Sequence, residues 1–312
     1  RGLSEEQARL CNVKGCYEYS VQGGMDTGMN YLNLLKPLEY ALHCGCDGVT
    51  GKFAGLQSPS VEKYVEFNDF YEEYKKQLKY VMDCAMETVN DYEDYLAYIN
   101  PQSMLSATYP SCLEKGKDAL EGGAIENGTV LAGGFIADIA DSLTAIKKYV
   151  FDKKQLTLQE FCRVLDNNYA GYEKFRLQLL KAPDKYGNDK ELPDAFAKDI
   201  IDFIAKYVCG QPNAKKRGGK WTCGFHVARM SYTQGEVTAA TPNGRLKGEE
   251  LSKNCSASMG QNKEGATAAI LSVTKIDATA FTGDATLDLG LLPSAVKGED
   301  GLEAMYGLLM TF

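Results

Sequence analysis

The amino-acid sequence predicts an α/β fold with mostly parallel strands. Long amphipathic helix patterns alternate along the chain with short apolar runs, and 44% of the 312 residues are hydrophobic. Such alternation is typical of a sheet whose strands are joined by helices, and this length is sufficient to bury a large core. No internal repeat and no linker rich in proline, glycine and serine divides the chain. We therefore expect residues 1–312 to form one domain or part of one.

The first half of the chain is dominated by one very long helix pattern. A shorter helix is predicted before it, over residues 29–45, and stops at a glycine. The long helix is predicted over residues 60–100, with Ser60 as its N-cap and Pro101 as its end. Apolar residues recur in that region at steps of three and four, which indicates one buried face: Tyr64, Phe67, Tyr71, Tyr74 and Leu78. Residues 104–124 predict a short strand, a helix and a glycine turn.

The second half alternates strands and helices. Residues 129–151 predict a strand that passes through glycines into a helix, where Asp138 and Asp141 suit the positive end of the helix dipole. One further helix or a pair of helices is predicted over residues 157–169 and 173–183, and another helix over residues 193–210. Residues 221–232 and 266–277 predict strands on either side of a turn-rich segment.

Composition excludes several classes of function. A net charge of −8 is the opposite of the basic surface that nucleic-acid binding requires. No apolar run is long enough to cross a membrane. The ten cysteines are scattered, which indicates a reducing, cytoplasmic compartment, and none has metal-site spacing. The chain begins without methionine on RGLSEEQARLC and stops on YGLLMTF, so we expect it to be part of a longer protein.

The segment GCYE, residues 15–18, holds the clearest chemical candidates. Motifs for phosphate loops, dinucleotide binding and serine hydrolases do not occur, and His43 and His226 are both predicted to be structural. In an extended loop Cys16 and Glu18 point the same way, so both can face one ligand. A neighbouring carboxylate disfavours a thiolate, whereas a thiol that loses a hydrogen atom need not ionise. The pair therefore indicates radical chemistry, with a buried cysteine beside a solvated glutamate as the alternative.

Six segments in chain order carry a resemblance to a known family. They are GCYE (15–18), MLSATYPSCLEKGKDALEGGAIENG (104–128), IADIADSLTAIKKYVF (136–151), APDKYGND (182–189), ATPNGRLKGEEL (240–251) and GATAAILSVTKID (265–277). Together they resemble motifs of the glycyl radical enzymes, the pyruvate formate-lyase and glycerol dehydratase family. The match runs from Gly15 to Asp277 and covers most of the chain.

The resemblance implies half of a ten-stranded α/β barrel, surrounded by long helices. In that family two five-stranded halves form the barrel, with the cysteine on a loop inside it. This chain then corresponds to the second half, with the cysteine loop at residues 12–30. The N-terminal half and the C-terminal glycine-radical domain are expected outside this chain, because the R-V-x-G-Y motif of that domain is missing from it.

The same resemblance implies roles for four residues. Cys16 is expected to carry the thiyl radical that abstracts hydrogen from substrate, and Glu18 to be the acid/base of the eliminating branches. Tyr17, which replaces the usual valine, and Tyr31, near a pocket tyrosine of the choline lyase branch, are candidate substrate contacts.

The resemblance also implies a cofactor and partners. No metal or bound cofactor is expected in this chain. The stored radical is on a glycine elsewhere in the protein, installed by a radical-SAM iron–sulfur activating enzyme. The family further implies a small-molecule substrate, a homodimer and the cytoplasm of an anaerobic bacterium, free or inside a microcompartment.

The function that follows is a lyase or dehydratase, inactive as this chain alone. It would eliminate water or another group from a small hydroxylated or amine-bearing substrate. An arylacetate-type radical decarboxylase is the second interpretation. Formate acetyltransferase is a weaker one, because that branch carries adjacent cysteines and Cys16 stands alone. A non-catalytic family fragment or scaffold is the alternative outside the enzymes.

Overall fold

Helices and a small parallel sheet make up most of the described chain. The computed structural model describes residues 4–14, 18–25, 27–227 and 229–311. Its strands are β1 (Cys11–Lys14), β2 (Glu18–Val21), β3 (Thr27–Asn33), β4 (Thr129–Gly134) and β5 (Trp221–Gly224). Its α-helices are α1 (Glu5–Arg9), α2 (Leu35–Leu42), α3 (Phe67–Ile99), α4 (Ser103–Ser106), α5 (Pro110–Lys115), α6 (Ile136–Ala145), α7 (Leu158–Asp166), α8 (Glu173–Leu180), α9 (Glu191–Val208), α10 (Met230–Glu236), α11 (Gly265–Thr274) and α12 (Gly298–Thr311). None of these helices combines the length and the apolar character needed to cross a membrane.

The strands form one antiparallel hairpin and one parallel sheet. β1 and β2 pair antiparallel, and Lys14 lies opposite Glu18 in their register. β3, β4 and β5 pair in that order, all parallel. Helical segments connect β3 to β4 and β4 to β5, as parallel pairing requires. The predicted α/β class with parallel strands is therefore confirmed.

The long helix α3 is the largest element that the sequence predicted correctly. It ends at Ile99, two residues before the predicted stop at Pro101. The side chains of Phe67, Tyr71 and Tyr74 are buried on its inner face, and the Phe67 and Tyr71 rings each lie 5.4 Å from the ring of Phe196 on α9. Each buried aromatic side chain contributes about 1.5–3 kcal/mol to stability through apolar burial. The period of three and four therefore marks the face that joins α3 to α9.

The start predicted for this helix was wrong. Ser60 precedes a separate short 3-10 turn, Val61–Lys63, and its hydroxyl makes no capping hydrogen bond. The α-helix begins six residues further on, at Phe67. Tyr64 therefore packs against the core from the loop between the turn and the helix.

Three other predicted elements were wrong, and the strand predicted over residues 221–232 ends at Gly224, with α10 beginning at Met230. Residues 29–33 belong to strand β3, and the following helix begins only at Leu35, whose amide donates to the Asn33 side chain at 3.0 Å. The strand expected near residue 104 is the helical turn α4. Residues 265–274 form helix α11, where the strand-like run of small and β-branched residues is overridden by tertiary contacts. One such contact is the 2.9 Å hydrogen bond from the Ser272 hydroxyl to Asp194.

Two glycines at the end of β4 let the chain beyond β5 pass close to the sheet. A Cβ atom on Gly134 would lie 2.1 Å from Cγ1 of Val227. A Cβ atom on Gly133 would lie 2.9 Å from the ring of Phe225. Real Cβ atoms do not approach that closely, so glycine is required at both positions. This contact sets the position of residues 225–227 at the carboxyl edge of the sheet.

Helix α6 is buried on all sides and anchors the loops around it. Both Asp138 and Asp141 are almost completely buried. Asp138 accepts hydrogen bonds from the Asn243 side chain at 2.7 Å and from the Ser252 amide at 2.6 Å. Asp141 accepts from the Tyr186 amide at 2.8 Å. These two carboxylates therefore hold two of the segments that carried the family resemblance, in addition to suiting the helix dipole.

The buried carboxyl of Asp141 is expected to make stability depend on pH. Burial raises the pKa of Asp141 from 3.8 to about 7, although Lys185 lies 3.7 Å away and opposes the shift. The native state therefore keeps a proton that the unfolded chain releases, so this contribution to stability is complete below pH 3.8 and is lost as the pH rises through 7. We expect the free energy of unfolding to fall less between pH 5 and pH 8 in Asp141→Asn than in the parent protein.

Urea unfolding at a series of pH values measures this slope. Asp152→Asn, which changes a half-exposed carboxylate paired with Lys147, is the matched control and should keep the slope of the parent. Equal slopes in the parent and in Asp141→Asn would contradict the assignment.

Candidate active site

The cysteine loop was predicted over residues 12–30, but the described part of that range includes residues of β1, β2 and the start of β3. Residues 15–17, with Cys16 and Tyr17, lie outside the described residues, and Glu18 is described only as the first residue of β2. The backbone on either side is described, because Lys14 and Glu18 face each other across β1 and β2. A link of three residues therefore carries the predicted cysteine, and the roles of Cys16, Tyr17 and Glu18 stay predictions.

The chain that leaves this hairpin is fastened to the segment before β4. The Met25 amide donates to the Glu126 carbonyl and the Thr27 amide to the Gly128 carbonyl, both at 2.9 Å. The Tyr109 hydroxyl donates to the Gly24 carbonyl at 3.4 Å. These contacts come from residues 104–128, a segment that carried part of the family resemblance. It positions the chain between the hairpin and the sheet.

A buried ion pair lies at the amino ends of β3 and β4. Arg217 and Glu93 are 1% and 2% exposed, with Nε of the arginine 3.4 Å from Oε2 of the glutamate. The guanidinium also donates to the Met25 and Gly128 carbonyls at 3.1 and 2.9 Å. Glu93 accepts from the hydroxyl of Thr129 at 2.8 Å. Because both charges are paired and further hydrogen-bonded, this arrangement fixes where β3 begins and where the hairpin is attached.

The opposite, carboxyl ends of the same strands bring Tyr31 to His226. Tyr31 lies in β3 and is partly buried. His226 follows β5 and is 1% exposed. Their rings meet edge to face, with centroids 5.8 Å apart and planes at 87°. Ligands of open α/β sheets bind at the carboxyl ends of the strands, so this pair lies where a substrate site is expected.

Asp284 orients the imidazole of His226. Its Oδ1 lies 2.6 Å from Nδ1 of His226, and its Oδ2 accepts from the Thr286 hydroxyl at 2.7 Å. Burial pushes the pKa of Asp284 upward, but the hydrogen bonds from His226 and Thr286 outweigh it and lower the pKa below 3.8. The carboxylate therefore stays ionised and accepts a hydrogen bond from the Nδ1–H group of His226. This hydrogen bond fixes the tautomer and the plane of the imidazole ring.

The surrounding backbone holds this histidine rigidly. The Phe225 amide donates to the Asp284 carbonyl at 2.6 Å, and the Val227 amide donates to the Asn254 side chain at 2.9 Å. Sequence reasoning placed His226 inside a strand as a structural residue and did not find Asp284. The position of His226 directly after an apolar strand was the available signal for a functional role, since residues that follow a strand lie at the carboxyl edge of a parallel sheet.

Among the described residues, the His, Cys, Asp and Glu side chains do not form a metal centre. Groups of three or more His, Cys, Asp or Glu side chains placed to hold one ion do not occur there. His226 and Asp284 thus pair with each other in the part of the chain that the structure describes.

Comparison with known proteins identifies the family. The sequence profile described as pyruvate formate lyase-like matches residues 1–233. The chain belongs to this family of glycyl radical enzymes. The family resemblance seen in the six motifs is thereby confirmed.

Curated members of the family match the chain along its length. It is 33% identical to trans-4-hydroxy-L-proline dehydratase of Clostridioides difficile, over 100% of this chain and 39% of the relative. It is 29% identical to (2S)-3-sulfopropanediol dehydratase of Klebsiella oxytoca, over 99% of this chain and 38% of the relative. The chain thus spans less than half the length of these glycyl radical enzymes.

Solved structures of the family confirm the fold class. Hydroxyproline dehydratase of Clostridioides difficile, with trans-4-hydroxy-L-proline bound, superimposes with a TM-score of 0.92 at 34% identity, over 99% of this chain and 39% of that one. The glycerol-bound form of the B12-independent glycerol dehydratase of Clostridium butyricum gives 0.92 at 31% identity, over 100% and 39%. The fold is therefore part of a glycyl radical enzyme barrel, as the sequence predicted.

Proposed function

We propose that this chain carries the hydrogen-abstracting cysteine and the acid/base carboxylate of a glycyl radical lyase. One observation supports this most strongly: the whole chain matches dehydratases of the family, and its sequence has Cys16 between β1 and β2 and Glu18 as the first residue of β2. Its substrate is a small molecule with a hydroxyl or other leaving group next to the carbon that loses hydrogen. The names of the two curated relatives both describe dehydration, which supports elimination of water.

The paired backbone around residues 15–17 suits a thiol that must stay in one place. Lys14 and Glu18 are in register, so the described backbone that precedes and follows Cys16 in sequence is paired. The glycyl radical would supply one unpaired electron, which reaches the sulfur of Cys16 when a hydrogen atom moves from the thiol to the glycine. Cys16 gives up the hydrogen atom of its thiol, takes one from the substrate carbon and returns it to the product. This exchange requires no thiolate, so the nearby carboxylate of Glu18 does not oppose it.

Glu18 is the proton acceptor in this proposal. Loss of a hydrogen atom from a carbon that bears a hydroxyl or an amine makes the proton on that oxygen or nitrogen more acidic. Glu18 takes this proton, and the adjacent carbon–oxygen bond then breaks with both electrons going to the leaving group. The proton held by Glu18 completes the departing water. General acid–base catalysis of this kind contributes about 10²–10⁴-fold to a rate.

Tyr31 and Tyr17 are proposed to contact the substrate. Support for Tyr31 comes from its place at the carboxyl end of β3, against a histidine that Asp284 holds in one orientation. Tyr17 is adjacent to the reactive thiol in sequence. In this proposal residues 1–312 form the second half of the barrel. The other walls of the pocket would come from parts of the full-length protein outside residues 1–312.

The partners follow from the same proposal. A radical-SAM activating enzyme would install the radical on a glycine outside residues 1–312. The full-length protein would act as a homodimer in the cytoplasm of an anaerobic bacterium, either free or within a microcompartment.

Replacement of Glu18 tests the acid/base role. In the full-length protein, activated anaerobically, Glu18→Gln is expected to lower kcat by about 10²–10⁴-fold because the amide cannot accept the proton. Product formation is measured by chromatography with trans-4-hydroxy-L-proline, glycerol and 3-sulfopropanediol as probes. The glycyl radical content should equal that of the parent protein.

Glu5→Gln is the matched control, because Glu5 is an exposed carboxylate on α1. It should leave kcat unchanged. Near-normal turnover in Glu18→Gln would make that residue structural and remove it from the mechanism.

A further inference from the structure

Two thiols outside the candidate active site lie against each other. Sγ of Cys209 and Sγ of Cys223 are 3.6 Å apart, and the two residues are 14 positions apart in sequence. A disulfide bond is about 2.05 Å long, so the sulfur atoms need to approach by roughly 1.5 Å to form one. A change of this size is within the reach of side-chain rotation.

The backbone already holds these two cysteines side by side. Cys209 follows α9 and Cys223 lies in β5. Between them the chain turns back on itself, because the Gly210 amide donates to the Trp221 carbonyl at 2.9 Å and the Trp221 amide to the Gln211 carbonyl at 2.8 Å. A bond between the sulfur atoms would therefore close a loop whose ends are already paired, without moving either element.

The two thiols differ in a way that suits stepwise oxidation. Cys209 is partly exposed, whereas Cys223 is buried. The hydrogen bond between the two sulfur atoms lowers the pKa of Cys209 below the ordinary 9.0 and raises the pKa of Cys223, with burial adding to the second shift. The accessible sulfur is thus the better nucleophile, and the protected sulfur is placed to react second.

We propose that Cys209 and Cys223 form an oxidisable dithiol that hydrogen peroxide or a small-molecule disulfide converts to an intramolecular disulfide. With peroxide, the Cys209 thiolate attacks one oxygen, the oxygen–oxygen bond breaks, and a sulfenic acid and one water form. The Cys223 thiol then attacks the Cys209 sulfur, and the sulfur–oxygen bond breaks to release a second water. Two thiols lose two electrons and two protons in total, and one peroxide is reduced to two waters.

The disulfide would tie α9 to the strand that leads to the candidate active site. Cys223 lies three residues before His226, and its carbonyl accepts the Gly283 amide at 3.0 Å, next to Asp284. The bond would therefore join α9 to the strand that precedes His226. Its formation does not depend on the reaction proposed above.

Peptide mapping tests the dithiol directly. Tryptic cleavage places one cysteine in each of two peptides, residues 207–215 and 221–229. The reduced, native full-length protein is treated at neutral pH with hydrogen peroxide or with glutathione disulfide and digested without reductant. We expect the linked pair of these peptides to exceed any linked pair that contains the exposed Cys84 by at least tenfold.

Two variants separate this site from general thiol oxidation. Cys209→Ser should remove the linked peptides and leave Cys223 unreactive toward iodoacetamide in the folded protein. Cys223→Ala should move the pH midpoint for alkylation of Cys209 upward, because alanine has no group that can donate a hydrogen bond to the Cys209 sulfur. Oxidation of Cys84 without the linked pair, or equal amounts of the pair in native and urea-unfolded protein, would overturn the proposal.

Discussion

Cys16→Ser is expected to abolish turnover while the glycyl radical remains at its parental level. The serine O–H bond is much stronger than the thiol S–H bond, so hydrogen-atom exchange through residue 16 acquires a large extra barrier. Each 1.4 kcal/mol added to the barrier lowers the rate about tenfold, and we expect product formation to fall to background. The measurement combines product analysis with electron paramagnetic resonance of the same activated sample.

Cys11 provides the matched control for this substitution. It lies in β1, in the same hairpin, opposite Val21. Cys11→Ser should keep most of the turnover, because a thiol at this position has no proposed part in the reaction. Retained turnover in Cys16→Ser would remove the thiyl assignment, whatever the radical content.

Arg217→Met is expected to destabilise the fold by about 3–5 kcal/mol. The substitution leaves the buried carboxylate of Glu93 without its counter-charge, which is the costly way to break an internal ion pair. It also removes the guanidinium donor from the Met25 and Gly128 carbonyls, of which Gly128 keeps the hydrogen bond from the Thr27 amide. Urea unfolding measures the loss, and a value below about 1 kcal/mol would contradict this account.

The double variant Glu93→Gln with Arg217→Met isolates the charge. It should be more stable than Arg217→Met alone, with a coupling energy of roughly 0.5–3 kcal/mol. Lys215→Met, at an exposed cation nearby in sequence, should change stability little. Because Arg217 binds the Met25 carbonyl between the hairpin and β3, loss of this hydrogen bond is also expected to lower the activity of the full-length protein.

The sequence predicted the elements whose patterns are local. The aromatic period of α3 is carried by its own residues, and the passage from β4 through glycines into α6 is similarly continuous in the chain. β3 was mistaken for the start of a helix because its strand character comes from pairing with β4, whose residues lie about 100 positions away. Helix α11 was mistaken for a strand for the same kind of reason.

The candidate site could be predicted only in part. Cys16 and Glu18 are close in sequence, so their spacing could be interpreted, and Tyr31 was placed by resemblance. The contact between Asp284 and His226 spans 58 positions. A partner that distant leaves no local pattern, so these two residues could not be paired from the sequence alone.

The motifs that identified the family are largely architectural. Asp138 and Asp141 bind the loops that carry two of the other motifs, and residues 104–128 anchor the chain between the hairpin and β3. Their roles explain why a match over the whole chain establishes the fold, while the chemistry rests on the few residues around Cys16.

Electron paramagnetic resonance of the activated full-length protein tests the central claim most directly. The protein is incubated without oxygen with its radical-SAM activating enzyme, S-adenosylmethionine and a reductant, beside a glycyl radical enzyme of known activity as control. We predict a stable organic radical signal that disappears on exposure to air and accompanies product formation. The absence of that signal, under conditions in which the control enzyme is activated, would contradict the account.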